Sequence, residues 1–131
     1  MIIKLNTTSE TPIYIQLRNQ IVMGIGRGEL KIGEGLPTVR QMAKDIGVNT
    51  LTVQKSYEIL KNEGYIEIDR RHGAKVSPKV DLSGHFREKV ENELELLISE
   101  SSLKGMSRDD FMKMCADIFN NFNVSYAGGA L

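Results

Sequence analysis

Cysteine and histidine are scarce in this sequence, and long apolar runs are absent. The one cysteine, Cys115, excludes an internal disulfide and a cysteine-rich zinc site. Two histidines are too few for a metal site that needs three or four ligands, so we expect neither a metal nor another cofactor. No apolar run approaches the roughly 18–20 residues of a membrane span, and residues 1–4 lack the pattern of a signal peptide. We therefore expect a protein of the reducing cytoplasm.

The composition is that of a folded protein with an uneven distribution of charge. Its 131 residues leave room for one ordinary domain plus a small appendage, and they are too few for a TIM barrel or a two-lobed kinase. Hydrophobic residues make up 40% of the chain and charged residues 26%, which argues against wholesale disorder. Residues 1–80 carry 12 lysines and arginines against 8 acidic residues, whereas residues 81–131 carry 5 against 9. The first region is therefore suited to a polyanion and the second is not.

The N-terminal part of the chain predicts an extended or loose segment followed by a helix. Residues 1–10 form no periodic pattern. Thr11 and Pro12 have the pattern of a hydroxyl N-cap and a first helical residue. Glycines weaken the far end of this helix, which should stop within residues 27–30. Its apolar stripe consists of Ile13, Leu17, Ile21 and Ile25.

Residues 31–64 predict a loop and then two short helices joined by a tight turn. After a loop at 31–35, Thr38 and Gln41 have the spacing of a reciprocal capping box, and Gly47 should end the helix that they start. Asn49 is the predicted N-cap of the next helix, which should stop at Gly64. The inward-facing residues are Val39, Met42, Ala43 and Ile46 in one helix and Val53, Tyr57 and Leu60 in the other. Two helices joined in this way indicate a helix-turn-helix.

A short basic hairpin should follow the two helices. Residues 65–69 alternate between apolar and polar as in a strand, residues 70–73 form a polar tip, and residues 74–77 can return before Pro78. A helix-turn-helix with such a hairpin is the winged variety. The predicted fold is therefore mainly α with a small β wing, and the winged helix-turn-helix domain spans residues 1–80.

Residues 81–131 predict a module of two amphipathic helices. One helix should span 82–103, and Ser107 with Asp110 predicts a capping box before the second, whose apolar side should run from Phe111 to Phe122. The tail at 127–131 should be frayed. Two such helices cannot bury both apolar faces alone, so they must pack on the first domain, on each other or on a second copy of the chain.

In the first domain the sequence resembles the DNA-binding domain of GntR-type bacterial repressors. The resemblance covers about residues 8–80 and includes many positions in a fixed order. The matching stretches are Pro12–Leu17, Leu36–Ala43, Val48-Asn49, Thr52–Lys55, Tyr57, Leu60 and Glu63–Ile66. The short C-terminal part is similar to the YtrA-like branch, whose members carry only two C-terminal helices, used for dimerisation.

This resemblance implies a dimeric transcription factor, usually a repressor, that occupies an inverted-repeat operator. The chain departs from the family pattern at Leu51, where the branch usually has asparagine. In the wing, Arg71 stands at the first glycine position and Lys75 at the aromatic one. These departures bear on the operator sequence and on the wing tip, and they do not affect the fold.

The predicted DNA contacts lie on the second helix, the third helix and the wing. Arginine suits bidentate contact with phosphate or guanine, and a recognition helix reads bases with its N-terminal residues. For Asn49 a purely N-capping role is an equal alternative, and for Leu51 contact with a thymine methyl competes with simple exposure. Lys75 belongs to the same wing. The predicted DNA-binding residues are Arg40, Asn49, Thr50, Leu51, Thr52, Gln54, Lys55, Arg70, Arg71, His72 and Gly73.

The predicted dimerisation residues lie on the apolar sides of the two C-terminal helices. They are Phe86, Val90, Leu94, Leu97, Phe111, Met114, Ile118, Phe119 and Phe122. A small-molecule effector is an open alternative, with the seam between the two regions as its hypothetical site. We expect Cys115 to be a buried core thiol, and we expect His85 to bind no metal.

Two other classes of function are alternatives to a transcription factor. In the first, the winged domain is a scaffold for protein partners; the positive charge of residues 1–80 and the basic wing argue against it. In the second, the chain is an enzyme; no nucleophile–base pair, metal cluster or phosphate loop is visible in the sequence, so we expect no catalytic residues. Activation of transcription is chemically as accessible as repression.

Overall fold

Five helices and one β-hairpin follow one another along residues 2–78 and 84–124, which the computed structural model describes. The first compact unit spans Met1–Lys79 together with Asn123–Leu131, and the second spans Val80–Phe122. The first contains helices α1 (Ile13–Gly26), α2 (Val39–Ile46) and α3 (Thr50–Asn62) and strands β1 (Ile66–Asp69) and β2 (Gly73–Val76). The second contains α4 (Gly84–Leu103) and α5 (Arg108–Phe119). The predicted fold class, mainly α with a β wing, is confirmed.

The core of the first unit is formed where α1, α2 and the wing pack on α3. Leu17 and Ile21 on α1 are fully buried, as the spacing of four predicts. The inner stripe predicted for α3 is confirmed, since Val53, Tyr57 and Leu60 are at most 2% exposed. Burial of each such side chain contributes about 1.5–3 kcal/mol to folding, so this cluster holds the three helices in fixed relation.

Local capping signals place the ends of α2 and α3 correctly. Thr38 Oγ1 accepts a hydrogen bond from the backbone N–H of Gln41 at 3.1 Å. Gly47 ends α2 in the left-handed region at φ 70°, where a side chain would be strained. Asn49 Oδ1 accepts from the N–H of Leu51 at 2.7 Å. The predicted return hydrogen bond between the Gln41 side chain and the backbone of Thr38 was wrong, because the Gln41 side chain donates to Asp45 Oδ1 at 2.6 Å instead.

The start of α1 differs from the prediction. Pro12 occupies the N-cap position, and no side chain caps the helix, so the predicted role of the Thr11 hydroxyl was wrong. Gln16 Nε2 donates to the carbonyls of Thr11 at 2.8 Å and Asn6 at 2.9 Å, and its Oε1 accepts from the N–H of Asn6 at 2.8 Å. Gln20, one turn further along, binds the N–H and carbonyl of Lys4 in the same way.

These two glutamines hold the segment that the sequence predicts to be loose. Their amides satisfy backbone groups that a neighbouring strand would otherwise satisfy. The N-terminal segment is thereby held against α1 from residue 4 to residue 6.

The β-hairpin has a third, short partner that the sequence does not reveal. Ile66 pairs with Val76 and Asp69 with Gly73 in an antiparallel register. The stretch predicted as a loop at 31–35 runs beside β2. Leu36 N–H donates to the carbonyl of Ala74 at 2.8 Å, and Gly33 N–H donates to that of Val76 at 2.9 Å. The pairing comes from tertiary packing, since this glycine-rich stretch has no strand-like alternation.

The second unit carries two helices whose residues are mostly exposed. Ser107 Oγ accepts from the N–H of Asp110 at 3.1 Å, as the capping pattern predicts. Helix α5 ends at Phe119, so Phe122 lies beyond it rather than on its apolar side; asparagines at 120 and 121 are poor helix formers. Cys115 is half-buried rather than buried, and no residue of α5 is fully buried.

Some predictions concern residues outside the described ranges. These are the first two residues of the helix predicted at 82–103 and the frayed tail at 127–131. Among the helices of the described residues, none combines the length and the apolar character that crossing a membrane requires.

Candidate nucleic-acid interface

Helix α3 presents a polar face opposite the core. Thr50, Gln54 and Lys55 are exposed, and Leu51 in the first turn is 69% exposed. Asn49 is exposed too, and its side chain caps the helix. Thr52 is half-buried rather than on the outer side as predicted, because it lies one turn before the buried Ser56, whose hydroxyl is 3.2 Å from the Thr52 carbonyl. The predicted contacts of α3, apart from Thr52, therefore share one accessible surface.

Helix α2 is anchored to α3 next to Arg40. The hydroxyl of Tyr57 donates to the carbonyl of Pro37 at 2.7 Å, just before the N-cap of α2. Burial raises the pKa of Tyr57 to about 12, so the hydroxyl stays mostly protonated and able to donate even at pH 10. Arg40 is exposed in the first turn of α2. The sequence indicates that Tyr57 is buried, but gives no sign of this hydrogen bond.

Helix α1 is joined to α3 through Tyr14, which is not among the residues predicted to bind DNA. The buried Ser56 donates from Oγ to the carbonyl of Tyr14 at 2.7 Å. The Nζ of Lys55 lies 3.9 Å from the centroid of the Tyr14 ring. Both contacts join residues far apart in the chain, so no local signal could have shown them.

An arginine on α1 fixes the far end of α3. Arg18 makes a bidentate pair with Glu63, with Nε to Oε1 at 2.9 Å and Nη2 to Oε2 at 3.1 Å. Its guanidinium also lies 5.3 Å from the ring centroid of Tyr65, directly before the wing. The hydrogen bond to Glu63 raises the pKa of Arg18. Arg18 therefore stabilises the fold where α3 leads into β1.

The wing tip is shaped by Asp69. Its Oδ1 accepts from the N–H of Arg71 at 2.6 Å, and its Oδ2 lies 3.4 Å from Nδ1 of His72. The hydrogen bond from the N–H of Arg71 lowers the pKa of Asp69, and the side chain of His72 lowers it further by a smaller amount. Gly73 has φ 73°, which closes the hairpin after three tip residues. Arg70, Arg71 and His72 are exposed at this tip.

The arginines predicted to contact DNA are free of carboxylate partners within the described residues. This holds for Arg40, Arg70 and Arg71. Lys75 in the wing is different, because it pairs across the strands with Glu67 at 3.8 Å. An unpaired, solvated cation is available to replace the counterions of a DNA phosphate. These cations lie on α2 and the wing, and both elements pack on α3.

The residues predicted for dimerisation are apolar side chains of the second unit that are mostly exposed. Most are more than a third exposed, from 37% for Val90 to 74% for Phe119, and Phe111 is half-buried. Helix α5 has no buried residue. Across residues 2–78 and 84–124, no three side chains of histidine, cysteine, aspartate or glutamate come together as a metal site would require.

Comparisons with known proteins agree with this architecture. The sequence model described as bacterial regulatory proteins of the gntR family matches residues 13–76. The chain is 31% identical over 118 residues to the HTH-type transcriptional repressor YtrA of Bacillus subtilis, which covers 88% of this chain and 91% of that protein. The chain belongs to the GntR family. The predicted similarity to the YtrA-like branch is thereby confirmed.

Solved structures extend the similarity to three dimensions. The YtrA protein of Sulfolobus acidocaldarius, a GntR-family transcription factor, is 37% identical, with a TM-score of 0.63 over 79% of this chain and 99% of that one. A protein of Listeria monocytogenes EGD-e described as a transcriptional antiterminator is 25% identical, with a TM-score of 0.82 over 98% of both chains. This GntR-family chain is a transcriptional regulator with a DNA-binding winged helix-turn-helix, and it is not an enzyme.

Proposed function

We propose that this GntR-family chain is a cytoplasmic repressor that binds an inverted-repeat operator as a homodimer. One observation carries the proposal: among the described residues no carboxylate neutralises Lys55 on the exposed face of α3, or the arginines of α2 and the wing, two elements that pack on α3. Helix α3 would enter the major groove with its N-terminal turn, which is the geometry that recognition helices use.

Each predicted contact has a role set by its chemistry. Leu51 and Gln54 are placed to read base edges, since an apolar side chain suits a thymine methyl and an amide suits adenine. Thr50, Thr52 and Asn49 are short groups at the leading end of α3, where phosphates and base edges are both within reach. Arg40 would contact a phosphate or a guanine through its guanidinium fork.

The wing supplies a second, less sequence-specific contact. Arg70, Arg71 and His72 project from a tip that Gly73 and Asp69 hold in shape. A basic tip of this kind fits a minor groove or the phosphates on its edge. We therefore assign the salt-dependent part of the affinity to Arg40, Lys55 and the wing.

Homodimerisation is the part of the proposal that rests on the second unit. An apolar surface that spans two helices is unfavourable in water and marks an interaction site. A second copy of the chain would cover it with an identical surface, and two-fold symmetry would then present two α3 helices to an inverted repeat. Repression follows if the bound dimer blocks transcription, which is the role stated in the name of the Bacillus relative.

The test begins with selection of a preferred duplex from random DNA by the purified full-length chain. Fluorescence anisotropy then compares the selected duplex with a scrambled duplex at two salt concentrations, while sedimentation gives the stoichiometry. We expect a dimer, a preference on the order of 10³-fold and a steep salt dependence. Equal affinity for both duplexes would contradict sequence-specific binding.

A spacing control tests the symmetry. Insertion of about five base pairs, half a helical turn, between the two half-sites places them on opposite sides of the duplex. Binding of the dimer should then fall to the affinity of a single half-site, whereas insertion of a full turn should cost less. Binding that is indifferent to both insertions would argue against two symmetric half-sites.

A further inference from the structure

The ammonium group of Lys55 has an aromatic partner in place of an acidic one. Its Nζ lies 3.9 Å from the ring centroid of Tyr14, within the roughly 6 Å over which a cation is attracted to an aromatic face. In the described part of the chain, no carboxylate is within ion-pair distance of this lysine. Lys75 shows the contrasting arrangement, because Glu67 lies 3.8 Å from it and offsets its charge.

The backbone of Tyr14 is held against α3 next to Lys55. Ser56, which follows Lys55, is fully buried and donates its hydroxyl to the carbonyl of Tyr14 at 2.7 Å. Two consecutive residues of α3 thus contact Tyr14 of α1. Ser56 binds the Tyr14 carbonyl, and Lys55 lies over the Tyr14 ring. This hydrogen bond fixes the backbone from which the Tyr14 ring extends, and from that position the ring lies over the Lys55 ammonium.

We infer that Tyr14 is a positioning residue of the DNA-binding surface, whose ring holds the Lys55 ammonium in place for a backbone phosphate. This inference rests on the proposed function. An aromatic face attracts the charge without accepting a conventional hydrogen bond, so the N–H donors that point away from the ring remain free for phosphate oxygens. A carboxylate in the same place would compete with the phosphate for the same donors. Holding the long lysine side chain beforehand also reduces the rotamer entropy lost on binding.

A double-mutant cycle tests the inference on the selected duplex. The full-length proteins are wild type, Tyr14→Leu, Tyr14→Phe, Lys55→Met and the double variant Tyr14→Leu with Lys55→Met. Anisotropy over a series of salt concentrations gives both the dissociation constant and the salt slope for each. Thermal melting of each protein shows whether the fold is retained.

The ring and the charge should act as one unit. Tyr14→Leu should weaken binding by about two- to tenfold per protomer, because the Lys55 side chain must then be ordered when DNA binds, whereas Tyr14→Phe keeps the ring and should bind like wild type. Lys55→Met should lower the salt slope by about one per protomer. In the Lys55→Met background, Tyr14→Leu should have no further effect.

Three results would overturn the inference. One is an equal loss from Tyr14→Leu with and without Lys55, which would mean that the ring acts independently. Another is a loss from Tyr14→Phe as large as that from Tyr14→Leu, which would assign the effect to the hydroxyl. The third is wild-type affinity for Tyr14→Leu. Failure of the wild-type protein to select any sequence would instead contradict the proposed function.

A measurement on the free protein covers the case in which Tyr14→Leu does not fold. A ring 3.9 Å away shifts the Hε protons of Lys55 upfield in the proton NMR spectrum, and Lys75 is the control without such a ring. Wild type and Tyr14→Phe should both show the shift. Random-coil values for Lys55 in both proteins would overturn the inference.

Discussion

The hydroxyl of Tyr57 offers a quantitative test of how α2 is held on α3. The change Tyr57→Phe removes the hydrogen bond to the carbonyl of Pro37 and leaves the buried ring in place. Pro37 is half-buried, so water can only partly replace the lost donor. The perturbation is therefore confined to one contact, at the turn that leads into the helix of Arg40.

The expected loss follows from the burial of the two groups. A typical intramolecular hydrogen bond contributes about 0.5–1.5 kcal/mol net, and a buried acceptor left without a partner costs about 1–3 kcal/mol. Because the Pro37 carbonyl is only partly buried, we expect Tyr57→Phe to lower the free energy of unfolding by about 1–2 kcal/mol.

Urea denaturation at neutral pH, with an unchanged m-value, measures this loss. Tyr14→Phe is the matched control, since Tyr14 is half-buried and its ring contact with Lys55 does not depend on the hydroxyl. We expect less than about 0.5 kcal/mol from the control. A similar loss from both variants would refute the assignment of the stability to the Tyr57 bond.

The pH dependence of the free energy of unfolding tests the same hydrogen bond in a second way. The folded-state pKa of Tyr57 is raised from about 10 to about 12, so its stabilising contribution is complete below pH 10 and is lost as pH rises towards 12. The phenylalanine variant has no such group. The stability difference between wild type and Tyr57→Phe should therefore shrink between pH 10 and pH 12, and a constant difference would contradict the raised pKa.

Four further changes probe the DNA-binding surface and the dimer. Arg40→Ala should weaken operator binding by at least tenfold without a change in melting temperature, as followed by anisotropy; full affinity would remove Arg40 from the interface. Replacing thymines of the selected duplex by deoxyuridine, one at a time, should weaken wild-type binding at one position by a few-fold, and Leu51→Ala should abolish that sensitivity. Asp69→Ala should weaken DNA binding several-fold through disorder of the Arg71 backbone at the wing tip, whereas Asp69→Asn, which keeps an acceptor, should be closer to wild type. Leu94→Glu should shift the chain to monomers in sedimentation and reduce operator affinity at least tenfold, and an intact dimer would argue that another surface joins the two copies.

The local elements of this protein could be predicted because their causes lie within a few residues. Thr38 and Asn49 satisfy N–H groups two or three positions ahead, and Gly47 ends a helix by its own backbone freedom. The apolar stripe of α3 repeats at the helical period, which identifies the core face and, by exclusion, the face with Leu51 and Gln54. Family resemblance then supplied the role of that face, which periodicity alone does not give.

The parts of the site that escaped prediction depend on partners far away in the chain. Tyr57 meets Pro37 across 20 positions and Ser56 meets Tyr14 across 42. The glycine-rich stretch before α2 pairs with β2 only because packing brings the two together. Sequence patterns report what a residue prefers among its neighbours, whereas these contacts arise from the packing of whole elements.

The sequence by itself determined which segments are helical, which faces are apolar and where the positive charge lies, since each depends on short-range spacing and side-chain chemistry. The tertiary structure decided which cations are paired: Arg18 forms an ion pair with Glu63, and Arg40 is left exposed. It also decided that Lys55 lies over an aromatic ring of another helix. Electrostatic and aromatic partners depend on distances of a few ångströms, and only the packing of α1, α2 and the wing around α3 fixes those distances.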